Sequence, residues 1–459
     1  MASVSIGGSG GKLEGFRRRL REAPLVALRE ALTDQDIVDA CAVCGHTFRS
    51  RQYDPVVTVL HFLMQAIQRE ESFAATWQEL WATLSMRWPQ RDLPSRDLSA
   101  LTHARRRLPK QVLQYLARQA CQKTQDLDEQ RWRGLRLRAL DGTTVSMPAT
   151  GSLFRHFGRH RARGRRVRYP LGTLVCLLRV GTSVIEDFRF GPYDPGEDKT
   201  SRPLLGSLTP EDLLLADRGF SGSPTLARLE ARGTHFLMRK HPRLKPENLP
   251  VLRRLGQSDF LTELAVSRPA RKQDPSLPKT VRVRIFKATW RTPVGQRITE
   301  WFVTSLMDPK RHPKRTLAKL YHERWQIEIS YLEFKQTLHS DVLRSKTCDT
   351  IYKELAAHIL AYQLVRLLIC QAAQKHGTKP TEISFLNAAR CVVSFSSRMS
   401  VMPARNLPAA YQRLLDTIAR CKIDVRPGRV EPRAIARETK HYPRLRTRRS
   451  LWRQLRLRA

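Results

Sequence analysis

Tyr321 to Lys335 reads YHERWQIEISYLEFK. At about 100° of turn per residue on an α-helix, Tyr321, Arg324, Glu328 and Lys335 fall within an arc of roughly 60°. Glu323 and Glu333 point away from that arc. Leu320, Ile327, Tyr331, Phe334 and Leu338 form an apolar row beside it, at helical spacing. The stretch predicts a long helix over about Lys314–His339. One side is buried, and next to it one acid is flanked by two cations and a phenol. A carboxylate holds a hard metal ion. Arg grips phosphate with its bidentate fork, and Lys as a point charge. A surface helix laced with ion pairs would carry the same residues. Two Asp residues upstream weigh against that plainer account.

The first lies in GLRLRALDGTTVSM (134–147), which alternates apolar and polar residues as a strand does. Asp141 is expected at the end of that strand, with Gly142 and Thr143 turning the chain. The second lies in EDLLLADRGF (211–220), an apolar strand ending in Asp217, with Gly219 for the turn. Glu186 and Asp187 sit on a strand with no Gly turn after them. Asp212 precedes its apolar run and so belongs at the opposite end of the strand from Asp217. Three carboxylates drawn from two strand ends and a helix are hard oxygen ligands. They suit Mg²⁺, with Mn²⁺ as a substitute. Two such ions about 4 Å apart activate water or a 3′-hydroxyl and stabilise the leaving oxygen.

The spacing Tyr-x2-Arg-x3-Glu-x6-Lys, met without a gap, resembles the signature of bacterial insertion-sequence transposases of the insertion-element-four family. LDGTTVSMPAT (Leu140–Thr150), LLADRGF (Leu214–Phe220) and DVLRSKT (Asp341–Thr347) resemble the same family. The likeness runs from about residue 25 to about residue 375. It implies a DDE transposase whose fold is an α/β ribonuclease H-like catalytic core. A β-rich insertion separates the second Asp from the Glu. An N-terminal helical domain and a C-terminal helical region flank the core. It also implies that Asp141, Asp217 and Glu328 are the catalytic metal ligands, and that Tyr321, Arg324 and Lys335 orient phosphates beside them. Trp301, opening the strand WFVTSL, would stack on a base flipped out near the cut, although a Trp on a strand fits a core equally well. The implied activity is nicking at an element's end, then joining of the freed 3′-hydroxyl to target DNA. A metal-dependent nuclease without strand transfer, and a non-catalytic repressor derived from a transposase, are the alternatives. The intact acids argue against the repressor.

Composition points the same way. The chain has 459 residues, 41% hydrophobic and 27% charged, with a formal net charge of +40 and a pI near 10.9. Such an excess calls for an anionic polymer as partner: double-stranded DNA, as element end repeats and as target. A homodimer is expected in the DNA complex. No membrane is expected: no apolar run reaches about 18 residues, and Ala356–Ala373, broken by His358, Gln363 and Arg366, reads as a packed helix. MASVSIGGSGGK lacks the apolar core of a secretory signal, and the eight Cys form no disulfide framework. Together with the resemblance, a bacterial cytoplasmic location is expected.

The expected order is a disordered leader (1–12), a helical DNA-binding domain (13–130) and the first part of the core (131–240). The β-rich insertion (241–310), the rest of the core with its catalytic helix (311–376) and a C-terminal helical region with a basic tail (377–459) follow. PLVALREALT (24–33) is among the predicted helical segments. The loop RHFGRHRARGRRVRYP (155–170) holds Arg159, Arg161, Arg163, Arg165, Arg166 and Arg168. Their density beside Asp141 favours phosphate contact over a merely solvated loop.

Overall fold

The computed structural model describes residues 25–48, 53–67, 72–87, 98–124, 127, 131–162, 165–194, 196–291 and 297–423. The leader, Arg163 and the basic tail past residue 423 lie outside the described residues, as do the side chains of Arg161, Arg165 and Arg166.

Thr33 opens the first helix, α1 (Asp34–Val43). Its hydroxyl accepts from the Asp36 N–H at 3.1 Å, and the Asp36 carboxylate accepts from the Thr33 N–H at 2.7 Å. This reciprocal cap satisfies two otherwise orphaned donors. PLVALREALT does not form the predicted helix. Among its described residues, 25–33, it makes one 3₁₀ turn, Val26–Leu28, entered through Leu25 at φ 51°, a left-handed conformation that does not fit a right-handed helix. Four helices follow: α2 (Pro55–Ile67), α3 (Phe73–Arg87), α4 (Ser99–Arg107) and α5 (Lys110–Gln122). α2 is buried almost throughout, as its run of Val, Leu, Phe and Ile requires.

Next come β1 (Leu135–Ser146), α6 (Gly151–Phe157), β2 (Leu171–Arg179), β3 (Val184–Pro192), α7 (Glu197–Ser201), β4 (Asp212–Ala216), α8 (Ser223–Ala231) and β5 (His235–Arg239). The intervening segment supplies β6 (Arg253–Gly256), β7 (Asp259–Ala265), α9 (Arg268–Gln273), β8 (Thr280–Arg291) and β9 (Arg297–Thr304). Among the described residues these strands lie in one mixed sheet of order β3-β2-β1-β4-β5-β9-β8-β7-β6, with the short strand Arg131–Trp132 paired to β1. β2 runs antiparallel to both β1 and β3. β4 is parallel to β1, and β5 to β4. The β-rich segment joins this sheet through the antiparallel pair β5 and β9. Trp290–Ile298 and Asp424–Ala459 separate as a second unit, of which Trp290, Arg291, Arg297 and Ile298 are described.

The chain ends its described part with α10 (Lys314–Tyr321), α11 (Trp325–Thr337), α12 (Cys348–Lys375), α13 (Phe385–Met399) and α14 (Leu407–Arg420). α12 has the length and apolarity of a membrane span, yet 94% of its apolar window is buried inside the fold. It packs against α2, α5, β3, α13 and α14, so its apolar surface has protein partners. One face of the sheet is covered by Leu204, Leu205, Leu208, Phe220, Leu226 and Leu229, seated on Leu140, Val175, Leu177, Leu214 and Ala216. α11 lies against β1 from the other face, its Tyr331 hydroxyl donating to the Asp141 carbonyl at 2.6 Å.

Candidate active site

Asp141 is not at the end of its strand, as its Gly-Thr sequel suggested. β1 runs on to Ser146, paired with β2 along the whole length from Arg138. What ends near Asp141 is the other neighbour: the last pair between β1 and β4 is Leu140 with Ala216. Asp141 therefore stands where β1 loses its parallel partner, and Asp217, one residue past β4, stands beside the same opening. Side chains alternate along a strand. Leu140 and Ala216 point into the apolar layer, and the acids that follow them turn to the face on which α11 lies.

The helix motif arrives there in two pieces. The predicted continuous helix is tightened by a 3₁₀ turn at His322–Arg324, between α10 and α11. Spacings of three and four residues still share a face, so Tyr321, Arg324 and Glu328 converge. The Arg324 Nη1 donates to Asp141 Oδ2 at 3.2 Å, while Nη2 pairs with Glu328. The Tyr321 hydroxyl donates to the Ala216 carbonyl at 3.3 Å and lies 3.5 Å from Asp217 Oδ1. Lys335, two turns further on, points to β1 and donates to the Thr144 carbonyl at 3.0 Å. Burial lowers its ammonium pKa, and Asp341 opposes that shift.

Sequence reasoning missed Arg239. It ends β5 and donates Nε to Asp217 Oδ1 at 2.7 Å, with Nη2 at the same distance and Nη1 3.4 Å from Glu300. No motif pointed to it, because the parallel pairing of β4 with β5 is what carries it to Asp217. The guanidinium adds to what stabilises that acid's charged form. Burial alone would raise the Asp217 carboxyl, but the Arg218 N–H, Arg239 and Arg324 outweigh it and hold the pKa below the ordinary value. Asp141 goes the other way. Burial raises it to about 6, against the Gly142 N–H and Arg324, with Glu197 and Asp217 adding repulsion.

The acids set aside on sequence grounds are engaged elsewhere. Glu333 pairs with the buried Arg366. Glu323 accepts from Gln326 Nε2 at 2.9 Å. Glu186 pairs with Arg138 at 2.5 Å, Asp187 with Arg118 at 2.9 Å and Asp212 with Arg136 at 2.9 Å.

Among the described residues, no three acid, His or Cys side chains converge closely enough to hold a metal ion as they stand. The reason is visible in the site: the guanidinium of Arg324 lies between Asp141 and Glu328. The donor set nonetheless fits a hard divalent cation. It is made of carboxylates alone, and Asp141 is a half-buried acid whose charged form is disfavoured by burial and gains from nearby positive charge. Arg324 supplies part of it.

Trp301 sits apart. It is half-buried against the apolar layer, edge-on to Phe260 at 6.5 Å, with Lys287 Nζ 5.7 Å from its ring centre. Its neighbours face the opposite way, Glu300 to Arg239 and Phe302 to Tyr321 at 5.1 Å. Arg159 and Arg168 are exposed, and the Arg159 guanidinium lies 4.3 Å from the centre of the Phe154 ring.

Residues 132–364 match the family model for the transposase DDE domain. Transposase InsG for insertion sequence element IS4, from Escherichia coli (strain K12), is 27% identical over 429 residues, covering 92% of this chain and 94% of that protein. A probable transposase for insertion sequence element IS5377, from Geobacillus stearothermophilus, is 25% identical, covering 78% of this chain and 88% of its own. A cryo-EM structure of the piggyBac transposase synaptic complex with hairpin DNA superposes with a TM-score of 0.43 and 12% identity, over 85% of each chain. With half of its length inside the family model, the chain belongs to the DDE transposases of bacterial insertion sequences.

Proposed function

We propose that this transposase binds the ends of its insertion sequence as a homodimer, cuts them by metal-assisted phosphoryl transfer and joins the freed 3′-hydroxyl to target DNA. The observation that carries the reading is the convergence of Arg324 with Asp141 and Glu328, beside the Arg239-bound Asp217. The strand order, with β4 and β5 parallel to β1 and β2 and β3 antiparallel, supports a ribonuclease H-like core. The net charge of +40 supports DNA as the partner, met in the cytoplasm by the helical domain at 13–130 and by the loop at 155–170.

Asp141, Asp217 and Glu328 would hold Mg²⁺ or Mn²⁺, which when bound lowers the pKa of the attacking hydroxyl and neutralises charge on the phosphate. Arg324 and Tyr321 orient the scissile phosphate, Arg324 by transferring hydrogen bonds from the acids to phosphate oxygens. Arg239 keeps Asp217 ionised. Lys335 balances backbone phosphates beside β1. Water adds to phosphorus and the P–O3′ bond breaks, leaving a 3′-hydroxyl and a 5′-phosphate. That hydroxyl then attacks a target phosphate and displaces its 3′ oxygen. No protein nucleophile enters.

Purified protein incubated with Mg²⁺ and a DNA carrying the flanking ends is expected to nick at those ends and yield joined products. Cutting without joining would make it a nuclease. End binding without cutting would make it a repressor.

The loop at 155–170 predicts a salt effect. Replacing Arg159 and Arg168 by Ala is expected to flatten the slope of log K against log[salt] by about 0.9 for each phosphate no longer neutralised. An unchanged slope would place the loop away from DNA.

Trp301→Ala separates its two roles. A half-buried indole removed from the apolar layer costs less than the roughly 3–5 kcal/mol of a fully buried one. A lowered melting temperature with nicking and later steps equally slowed would make Trp301 a packing residue. Unchanged melting with a slowed end-bending step alone would make it the stacking platform.

A further inference from the structure

The site holds a fourth carboxylate that no motif marked. Glu197 opens α7, the short helix that follows β3. Its side chain lies over Gly142, the residue after Asp141. A Cβ built on Gly142 would stand 2.6 Å from Glu197 Oε1 and closer still to its Cδ, so this position in β1 is glycine where Glu197 needs the room. Gly142 lies in an ordinary extended strand and makes no turn, which leaves this close approach as the reason for a missing side chain.

The neighbouring acid Asp198 is committed to structure: it accepts from the Thr225 hydroxyl at 2.8 Å and pairs with Arg202 at 3.6 Å. Glu197, by contrast, has neither a hydrogen bond nor an ion pair to any described residue. It stands at the site all the same, for α7 packs against the 3₁₀ turn Arg218–Phe220 that follows Asp217. Asp141 and Glu328 must give up Arg324 to bind a cation, and Asp217 shares Arg239. Glu197 has nothing to give up.

We infer that Glu197 is a fourth metal-holding carboxylate, joining Asp141 and Asp217 around a divalent cation at the opening where β1 loses β4. The inference rests on the reading of Asp141 and Asp217 as metal ligands. A first-turn acid that merely stabilises α7 is the competing account.

Mn²⁺ alone, titrated into the full-length protein and followed by the electron paramagnetic resonance of the free ion, separates the two. Glu197→Gln is expected to weaken Mn²⁺ binding roughly tenfold or more, with end binding and melting temperature unchanged. Gly142→Ala keeps the carboxylate but pushes it aside, and should weaken Mn²⁺ to a similar extent. Glu263→Gln, a surface acid of β7, should not. If Asp141→Asn weakens Mn²⁺ while Glu197→Gln and Gly142→Ala bind as wild type, Glu197 plays no part and the site reading stands. A lowered melting temperature of Glu197→Gln with unaltered Mn²⁺ binding would likewise reduce it to a helix acid. If Asp141→Asn also binds Mn²⁺ normally, the site reading falls and Glu197 falls with it.

Discussion

Asp141→Asn is expected to abolish cleavage and, in the same protein, to raise stability. Without a bound cation the Asp141 carboxyl titrates near 6 in the fold, burial being the main cause, against about 3.9 in an unfolded chain. The native state thus holds its proton more tightly than the unfolded state does. Stability contributed by the protonated acid is complete below about pH 4 and is lost as pH rises towards 6. Above that, folding must keep a half-buried charge that water would solvate better. About two pKa units correspond to roughly 3 kcal/mol, which Asn does not forfeit, since its amide oxygen still accepts from the Gly142 N–H. Urea unfolding in a chelating buffer at pH 7.5 should show a gain of about 1–3 kcal/mol for the variant, shrinking towards zero at pH 4. Cleavage should drop by about three powers of ten or more, the loss of roughly 4 kcal/mol in the transition state. A variant no more stable than wild type at pH 7.5 would show that the Arg324 contact already neutralises Asp141.

Glu328 and Glu333 make the second contrast, five residues apart on one helix. Glu333 is paired with Arg366, which is 2% exposed and also donates to Tyr362 at 3.1 Å. Glu333→Gln leaves that guanidinium buried without its counter-charge, which costs about 3–5 kcal/mol. Glu328 sits at the open side of the site, and Arg324 keeps Asp141 when it is lost. Glu328→Gln should therefore move stability by about 1 kcal/mol or less while cutting falls by about three powers of ten. A folded, fully active Glu328→Gln would move the reacting face elsewhere on α11.

The register of Tyr321, Arg324 and Glu328 was legible because helical spacing is a local property, and a single 3₁₀ turn did not disturb neighbours three and four apart. β4 was legible as an apolar run closed by Asp217. What could not be read was pairing. That Arg324 reaches Asp141 across 183 residues, or that Arg239 reaches Asp217, depends on which strands lie side by side, and periodicity is silent on that. The same limit hid the continuity of the β-rich segment with the core sheet. Gly142 reads as a turn because a Gly after an Asp usually is one. Its actual neighbour, Glu197, lies two strands and a loop later in the chain.

The connectivity of that sheet also governs how the protein is made. β1 waits for β4, β5 for β9, and Ser146 accepts its last neighbour only from Asp341 and Val342. α12, which covers α5 and β3, comes later still. Contacts so distant along the chain fold slowly and leave apolar strand edges open meanwhile. On the ribosome, the strands bearing Asp141 and Asp217 emerge long before the helices that cover them. A chain stopped short of residue 328 carries both Asp residues on a sheet whose α11 face is still bare, an aggregation substrate rather than a weak enzyme.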